Sequence, residues 1–439
     1  MSSRKIAVKV LNRVINGGAY SNIILSNELN NSELSDKDKA LTTEIVYGTL
    51  RRLKSIDMII SSFVRDTSVM DKTILSILRV ALYQMHYLDK VPSYAACNEA
   101  VELAKEISEK DSKLVNGILR NYVKKDGKLE INFRNKIDEI AYELSFEPWM
   151  IKMLFNQYGE SEALRIMHGL NSTPMVTVRV NNLKADYEDV FEKFEESGYT
   201  VFEGTVCPEA ISIKGGKAIE KNEAFLEGNI TVQDESAMLV APLLDINEGQ
   251  KILDLCAAPG GKTTHISEIL ENTGEVLAFD IHSQKLELIK ENYERLGLTN
   301  ISVNEMDASK LDVKLIGIAD RVLIDVPCSG IGIIRKKPEI KWSKKRSELK
   351  EIVDIQRTIM SNAWEYLKKD GVMVYSTCTL NKEENEENVK WFLNKYKDAK
   401  VEKVFVGKGN NLKYDSIGTL TVLPNEYMDG FFIARFRKN

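Results

Sequence analysis

The chain has 439 residues, 43% of them hydrophobic, enough for about two to four domains with ordinary globular cores. No run of about 18 apolar residues offers a membrane span. The start, Met1-Ser2-Ser3-Arg4-Lys5, lacks the uninterrupted apolar core of a signal peptide. Five scattered cysteines with no C-x-x-C pair, and four unclustered histidines, argue against a disulfide framework or a metal site and for a reducing cytoplasm. The net charge of −5 is unevenly spread: residues 1–125 hold 19 Lys+Arg against 14 Asp+Glu, a net of +5, so the remainder carries −10. The N-terminal part is therefore the better polyanion-binding candidate.

Residues 4–125 read as helices. Apolar residues recur at helical spacing in Ile6, Ala7, Val10, Leu11, Val14, in Leu41, Ile45, Val46, Leu50, and in Ile74, Ile77, Leu78, Ala81, Leu82. Ser35 or Asp36 is the expected cap of the second of these, and Asp111 or Ser112 the expected start of the last helix before residue 125. Residues 126–140 are polar and aperiodic and read as a linker. Over 141–245 a small α+β insert is expected, with helices at Pro148–Tyr158 and Glu160–Leu170, strands at Thr177–Val180 and Tyr199–Phe202, and a helix at Tyr187–Ser197 between them.

From Gln250 onward strands alternate with helices. The strands are Lys251–Leu255, Glu275–Asp280, Ile301–Glu305, Arg321–Asp325 and Val372–Ser376. This alternation predicts a doubly wound α/β sheet, with ligands at the carboxyl ends of the strands. The first strand turns into its helix through Cys256-Ala257-Ala258-Pro259-Gly260-Gly261-Lys262, where glycines let backbone amides approach a ligand. G-x-G-x-x-G is absent. The ending Gly260-Gly261-Lys262-Thr263 imitates a phosphate loop, but Cys256 stands where that loop needs its first glycine. Asp280, Asp307 and Asp325 end or follow the next three strands. A carboxylate after the second strand can take both hydroxyls of a ribose, and one after the third can meet an adenine amino group. Any one of them could instead be a helix cap. Nucleoside recognition without a phosphate loop points to S-adenosylmethionine.

Two cysteines end strands: Cys328 in Asp325-Val326-Pro327-Cys328-Ser329-Gly330 and Cys378 in Tyr375-Ser376-Thr377-Cys378-Thr379. Carbon 5 of a pyrimidine is not nucleophilic until a thiolate adds to carbon 6, so a cysteine is the residue that such methylation needs. Asp325 can hold the ring edge as charge develops. Position alone leaves open which thiol attacks. Lys262 is either an electrostatic participant or the ion-pair partner of a nearby carboxylate, and Cys256 reads as a packed thiol. The basic run Arg335–Arg346, seven bases and one acid, begins seven residues after Cys328 and is expected to touch substrate.

These motifs, with Leu253-Asp254-Leu255-Cys256-Ala257-Ala258-Pro259-Gly260-Gly261-Lys262-Thr263-Thr264 and Arg335-Lys336-Lys337-Pro338-Glu339-Ile340-Lys341-Trp342, resemble the RNA cytosine-carbon-5 methyltransferases of the NOL/NOP/Sun family. The N-terminal helices resemble a NusB-like RNA-binding domain, notably at Asn116-Gly117-Ile118-Leu119-Arg120. The resemblance covers essentially the whole chain. Phe146-Glu147-Pro148-Trp149 departs from the family's usual His-Pro ahead of Trp, and Lys285 stands where arginine is common. The resemblance implies a Rossmann-like methyltransferase domain over 246–439, preceded by an all-α NusB-like bundle and an RNA-binding insert. It implies 16S ribosomal RNA as substrate and S-adenosylmethionine as methyl donor, held by Cys256 to Lys262, Asp280, Asp307 and Asp325. It makes Cys378 the nucleophile on carbon 6 of one specific cytosine, with Cys328 assisting release and Asp325 holding the base; no metal or membrane is implied. DNA cytosine methyltransferases use a Pro-Cys nucleophile, which Cys328 matches, and Thr377-Cys378 is what favours the RNA type. A non-catalytic NusB-like antitermination factor would leave the two cysteines and the cofactor turn without purpose. A methyltransferase for exocyclic amines would want Asn/Asp-Pro-Pro-Tyr in place of Asp325-Val326-Pro327-Cys328. A related enzyme acting on transfer RNA or another ribosomal site also fits the motifs.

Overall fold

The computed structural model describes residues 2–125, 129, 131–216 and 218–439. The chain divides into two compact units, residues 1–171 with 334–346, and residues 172–333 with 347–439.

The first unit is helical. Its principal helices are Ser3–Gly17, Asp36–Arg51, Lys72–Tyr87, Ser93–Lys105 and Glu109–Lys124. Hydroxyls and carboxylates at Ser2, Ser35, Asp71 and Ser108 accept hydrogen bonds from first-turn amides, the expected satisfaction of helix N-termini. The last helix thus starts earlier than the expected Asp111 or Ser112, because Ser108 caps it by accepting from the Asp111 amide at 3.0 Å. The apolar stripes meet in one core that includes Ile6, Val10, Ile45, Leu50, Leu78 and Leu82. Truncating any of these to alanine should cost about 2–5 kcal/mol. Of the expected linker, residues 126–128 and 130 lie outside the described residues, and its end joins helix Lys136–Glu143. The helices Pro148–Tyr158 and Glu160–Asn171, expected in the insert, fall in this first unit.

Residues 334–346 leave the second unit and complete the first. Glu339 accepts from the Ser21 amide (3.0 Å) and hydroxyl (2.8 Å), at the start of helix Ser21–Asn30. Lys341, fully buried, donates to the carbonyls of Arg51 (3.1 Å) and Ser145 (2.9 Å) and to Asn171 Oδ1 (2.6 Å), with Nζ 3.9 Å from the Phe146 ring centre. The Trp342 indole donates to the Leu50 carbonyl at 2.7 Å. The expectation that this basic run touches substrate is therefore corrected for its core. Arg335 and Lys341 are 1% and 0% exposed, and only Lys345 and Arg346 of the seven basic residues stand fully exposed. Composition alone could not show this, because a buried lysine and a solvated one look alike in sequence.

The second unit holds two sheets. Strands β1 (Val176–Val180), β2 (Tyr199–Glu203), β3 (Ala210–Gly215) and β4 (Ile230–Val232) form a small antiparallel sheet in the order β2-β3-β1-β4. Strands β5 (Lys251–Asp254), β6 (Glu275–Asp280), β7 (Ile301–Glu305), β8 (Ala319–Asp325) and β9 (Leu367–Thr377) pair in parallel in the order β9-β8-β5-β6-β7. Ile252, Leu253, Val322, Leu323, Ile324 and Val374 are buried whichever face they occupy, as expected of a sheet covered on both sides. Beyond the expected strands, β10 (Ala399–Glu402), β11 (Leu412–Tyr414), β12 (Leu420–Val422) and β13 (Phe431–Lys438) extend the sheet antiparallel past β9. No helix among the described residues is long and apolar enough to cross a membrane.

Candidate active site

Five parallel strands bring their carboxyl ends to one edge, and every candidate residue of the second unit sits there. Asp254 ends β5, Asp280 ends β6, Asp325 ends β8, and Cys378 directly follows β9. Register pairing sets Asp325 beside Ser376, so the motifs carrying Cys328 and Cys378 emerge side by side.

Two adjoining cavities open at this edge. The larger, about 340 Å³, is walled by Cys256, Asp280, Asp307 and Asp325 with apolar Ile281 and Pro327. A nucleoside needs such a mixed lining, with a flat apolar slot and carboxylates at its ends. Asp280 is held in place by two backbone donors, the amides of Ala258 (3.2 Å) and His282 (2.9 Å). It does not cap the helix Ser283–Leu296, which begins after His282. Asp307 accepts from the Ser309 amide (3.0 Å) and hydroxyl (2.6 Å), and these bonds hold its carboxyl below the ordinary value. The smaller cavity, about 150 Å³, is walled by Ala257, Pro259, Gly261 and Lys262 and shares Cys256, Ala258 and Asp325 with the larger. Gly260 has φ 100°, and a Cβ there would come within 3.2 Å of Ile289, so the turn can pass close under the helix only with glycine. The two cavities thus take in the cofactor-turn residues except Gly260, together with the three expected carboxylates.

Lys262 Nζ lies 2.6 Å from Asp325 Oδ2, and Ser376 donates to Asp325 Oδ1 at 2.8 Å. Burial pulls the ammonium of Lys262 down, but the charge and hydrogen bond of Asp325 outweigh it and the lysine is raised overall. Nζ also stands 5.2 Å from the Phe431 ring centre. Of the two readings of Lys262, the structure shows the ion pair, and its partner is Asp325. Burial, followed by the charges of Asp254, Asp325 and Asp280, pushes the Cys256 thiol far up, which fits a packed rather than a reactive cysteine.

Cys328 Sγ and Cys378 Sγ are 3.2 Å apart, both reduced. Two thiolates cannot share that distance in a buried site. The hydrogen bond with Cys378, then burial, hold Cys328 in its protonated form.

Sequence reasoning missed what fixes these thiols. Glu384, fully buried, accepts from the Ser329 amide (2.8 Å) and hydroxyl (2.6 Å), from Gln356 (3.1 Å) and from Asn381 (3.1 Å). Ser329 and Thr379, each next to a cysteine, share a hydrogen bond of 2.7 Å. On the other side Gly332 donates to the Cys378 carbonyl (2.9 Å) and accepts from the Gly430 amide (2.9 Å). A Cβ on Gly332 would lie 1.9 Å from the Gly430 carbonyl oxygen, so only glycine fits. The signal available in sequence was weak: small polar residues beside each cysteine, and an Asp-Gly-Phe-Phe run at 429–432.

Comparison with known proteins matches this geometry to relatives. The family described as 16S rRNA methyltransferase RsmB/F matches residues 241–437, the NusB family residues 1–124, and a ferredoxin-like domain of RsmF/B-type methyltransferases residues 146–220. A protein of Bacillus subtilis called probable ribosomal RNA small subunit methyltransferase B is 37% identical over 100% of this chain and 99% of its own length. The chain belongs to the ribosomal RNA small subunit methyltransferase B family. A Synechocystis member is 34% identical over 100% of both chains. The crystal structure of PH0851 superposes with a TM-score of 0.86, at 26% identity, over 100% of this chain and 99% of that one. Membership makes the chain a methyltransferase, and the doubly wound sheet with an N-terminal NusB domain is the architecture expected for the family.

Proposed function

We propose that this methyltransferase transfers a methyl group from S-adenosylmethionine to carbon 5 of a specific cytosine in 16S ribosomal RNA, by way of a covalent bond between Cys378 and carbon 6. The observation that carries the reading is the contact of two reduced thiols at 3.2 Å beside a carboxylate held by Lys262. Relatives called ribosomal RNA small subunit methyltransferases supply the substrate class.

The larger cavity fits an adenosine, with Asp280 placed for ribose hydroxyls and Asp307 for the far end. When bound, the cofactor supplies an electrophilic methyl group. The remaining work belongs to the protein. Cys378 Sγ forms a bond to carbon 6, and the electron pair of the 5,6 double bond moves to carbon 5. Asp325 faces the ring edge, where charge builds on nitrogen 3. Lys262 keeps that carboxylate in place and adds positive charge in a site shielded from water. After carbon 5 is methylated, solvent water takes its proton, the freed electron pair re-forms the 5,6 double bond, and the carbon–sulfur bond breaks with its pair returning to Cys378. Cys328, protonated and within contact distance, is placed to assist that departure. A base buried in a duplex could not reach two thiols at a strand end, so the target cytosine must be unstacked.

Separate replacement of the thiols tests the order. Cys378→Ala should bind cofactor and RNA but give neither methylation nor adduct. Cys328→Ala should methylate and stall, leaving a protein–RNA band that survives a denaturing gel. The trapped band in Cys378→Ala instead would make Cys328 the nucleophile. Bisulfite mapping of small-subunit ribosomal RNA from cells with and without the gene identifies the nucleotide.

A further inference from the structure

Glu384 is a fully buried carboxylate whose four hydrogen-bond donors are all neutral: the Ser329 amide (2.8 Å) and hydroxyl (2.6 Å), Gln356 Nε2 (3.1 Å) and Asn381 Nδ2 (3.1 Å). Four donors fill its acceptor sites, so they hold the carboxylate in place and leave its charge uncancelled. A buried charge held only by neutral groups is costly. Fastening two loops does not require one, since the hydroxyls of Ser329 and Thr379 already meet at 2.7 Å. The charge therefore calls for a use, and the two thiols are where it is felt.

Its bonds are not shared evenly between the thiols. Three of the four donors belong to the Cys328 side. Ser329 supplies two of them and follows Cys328 in the chain. Gln356, from helix Leu349–Tyr366, supplies the third and also donates to the Pro327 carbonyl at 3.0 Å, one residue before Cys328. Asn388 fixes the orientation of Gln356 by donating to its Oε1 at 2.8 Å. Glu384 thus braces the chain on both sides of Cys328. On the Cys378 side it has Asn381, whose backbone amide donates to the Thr379 hydroxyl at 3.2 Å.

The charged and titratable groups around the pair follow the same division. Cys328 meets the charges of Cys378, Glu384 and Asp325, all of which hold its proton on. Its own charge reaches the buried Tyr375 hydroxyl, which donates to the Glu384 carbonyl. Cys378 stands within range of the Lys262 ammonium, which its charge helps to raise. Anions therefore surround one thiol, and a cation is in range of the other. Two thiols at 3.2 Å lose their first proton as one unit, and these surroundings decide which sulfur keeps the second.

We propose that Glu384 is the positioning residue that divides the work between the thiols: its carboxylate, bonded around Cys328, fixes that sulfur as the proton carrier and leaves Cys378 to attack. The inference rests on the two-thiol reading and deepens it by naming the group that sets the order. At attack, the Cys378 thiolate forms the carbon–sulfur bond while Cys328 keeps its proton. At release, the electron pair that returns to Cys378 is met by the Cys328 S–H, which donates a hydrogen bond to it. No proton passes between the two sulfurs in either step. Without the charge of Glu384 that preference is lost, and either sulfur holds the proton.

The test compares Glu384→Gln, which removes the charge, with Glu384→Asp, which keeps the charge and shortens its reach. The rise of kcat/KM with pH, measured on ribosomal RNA, reports ionisation of the thiol pair. Glu384→Gln should move that rise about one unit towards lower pH, because loss of a nearby negative charge eases ionisation. It should also lower the plateau about tenfold, because Cys378 then holds the proton in part of the molecules. Glu384→Asp should lower the plateau without moving the rise. In a Cys328→Ala chain, Glu384→Gln should change the rate of adduct formation by no more than about twofold, since the residue it acts on is gone. The wild-type chain gives a check that needs no Glu384 variant to fold: limiting iodoacetamide followed by peptide mapping should label Cys378 well ahead of Cys328. Labelling of Cys328 first, a shift of the rise in neither or both variants, or a tenfold loss in the Cys328→Ala background would overturn the assignment. Methylation by Cys378→Ala would instead overturn the reading on which it rests.

Discussion

Among the described residues, two lysines of low exposure, Lys341 fully buried in the first unit and Lys262 partly buried in the second, differ in their partners. Lys262 meets a carboxylate and a ring face; Lys341 meets three neutral oxygens and a ring face. In the first case Asp325 outweighs burial and the ammonium is raised. In the second, burial and then the charges of Arg52 and Arg51 push the group well below its ordinary value. A cation paired with a carboxylate at low exposure brings fixed charge to the proposed active site. One matched only to carbonyls gathers chain segments whose acceptors would otherwise go unpaired. Chemistry and architecture thus use the same residue type, and the counter-charge distinguishes them.

The most drastic way to break the comparison is to remove the carbonyls that Lys341 binds. A chain beginning near Ile131 lacks Ser21, Leu50 and Arg51, so Glu339, Lys341 and Trp342 lose their main partners. It should aggregate or melt far below the full chain; a circular-dichroism melt that coincides with the full chain's would refute the tethering role.

Lys262→Met separates charge from volume in the second unit. Losing the fixed charge beside Asp325 should cut kcat/KM for ribosomal RNA by about 10²–10³. Because Lys262 also walls the smaller cavity and holds Asp325, cofactor affinity is measured in parallel, and a rate loss exceeding the affinity loss assigns Lys262 to the chemistry. An intact rate would reduce Lys262 to an ion-pair partner.

Lys341→Ala should leave turnover at permissive temperature nearly intact but destabilise the protein by about 3–5 kcal/mol, since it empties a filled space and orphans three oxygens. Urea melts measure this, and Lys341→Met, which keeps the volume, should recover part of the loss. A rate defect without a stability defect would move Lys341 into the catalytic machinery.

Smallest, and opposite in sign, are the pH effects. Lys262 is raised on folding, so its contribution is complete below the ordinary value of 10.5 and is lost as pH climbs through the higher folded value. Lys341 is lowered, so the unfolded chain binds more protons and stability rises with pH from the folded value towards 10.5. Each slope is at most about 1.4 kcal/mol per pH unit. The Lys341→Met variant should lose the rising limb and Lys262→Met the alkaline fall. Asp254 adds an acid-side term: burial lifts it to about 7, so stability falls as pH rises from 3.8 towards that value. Parallel melting curves for all variants would show that neither lysine titrates as described.

Much of the catalytic half was legible because its signals are local. Alternating strand and helix patterns located β5 to β9, and strand ends located the carboxylates and both cysteines. The 3.2 Å contact of the thiols was not legible, since it depends on Glu384 drawing both loops together. Gln233 escaped for a related reason. Its buried side chain accepts from an arginine, Arg179, 54 positions earlier in the chain, and nothing in Val232-Gln233-Asp234 differs from an ordinary loop. The strands β10 to β13 are short or follow glycine-rich loops, so no alternation longer than a few residues announced most of them. The run Arg335–Arg346 misled at Arg335 and Lys341, where charge was read as exposure; Lys341 is buried by contacts made across nearly 300 residues.

Because the first unit is assembled from two stretches of chain, its completion has a schedule. Asn171 is made about 175 residues before Arg346, and translation at 5–20 residues per second puts roughly ten to thirty-five seconds between them. Through that interval the Arg51 and Ser145 carbonyls and the start of helix Ser21–Asn30 wait in water for Lys341 and Glu339. The piece that closes the helical unit emerges only after Cys328 has been made. A nascent chain that stops early therefore leaves its N-terminal helices unfinished, and ribosomes release a sealed N-terminal unit only together with a chain that already carries one of the two thiols proposed for the chemistry.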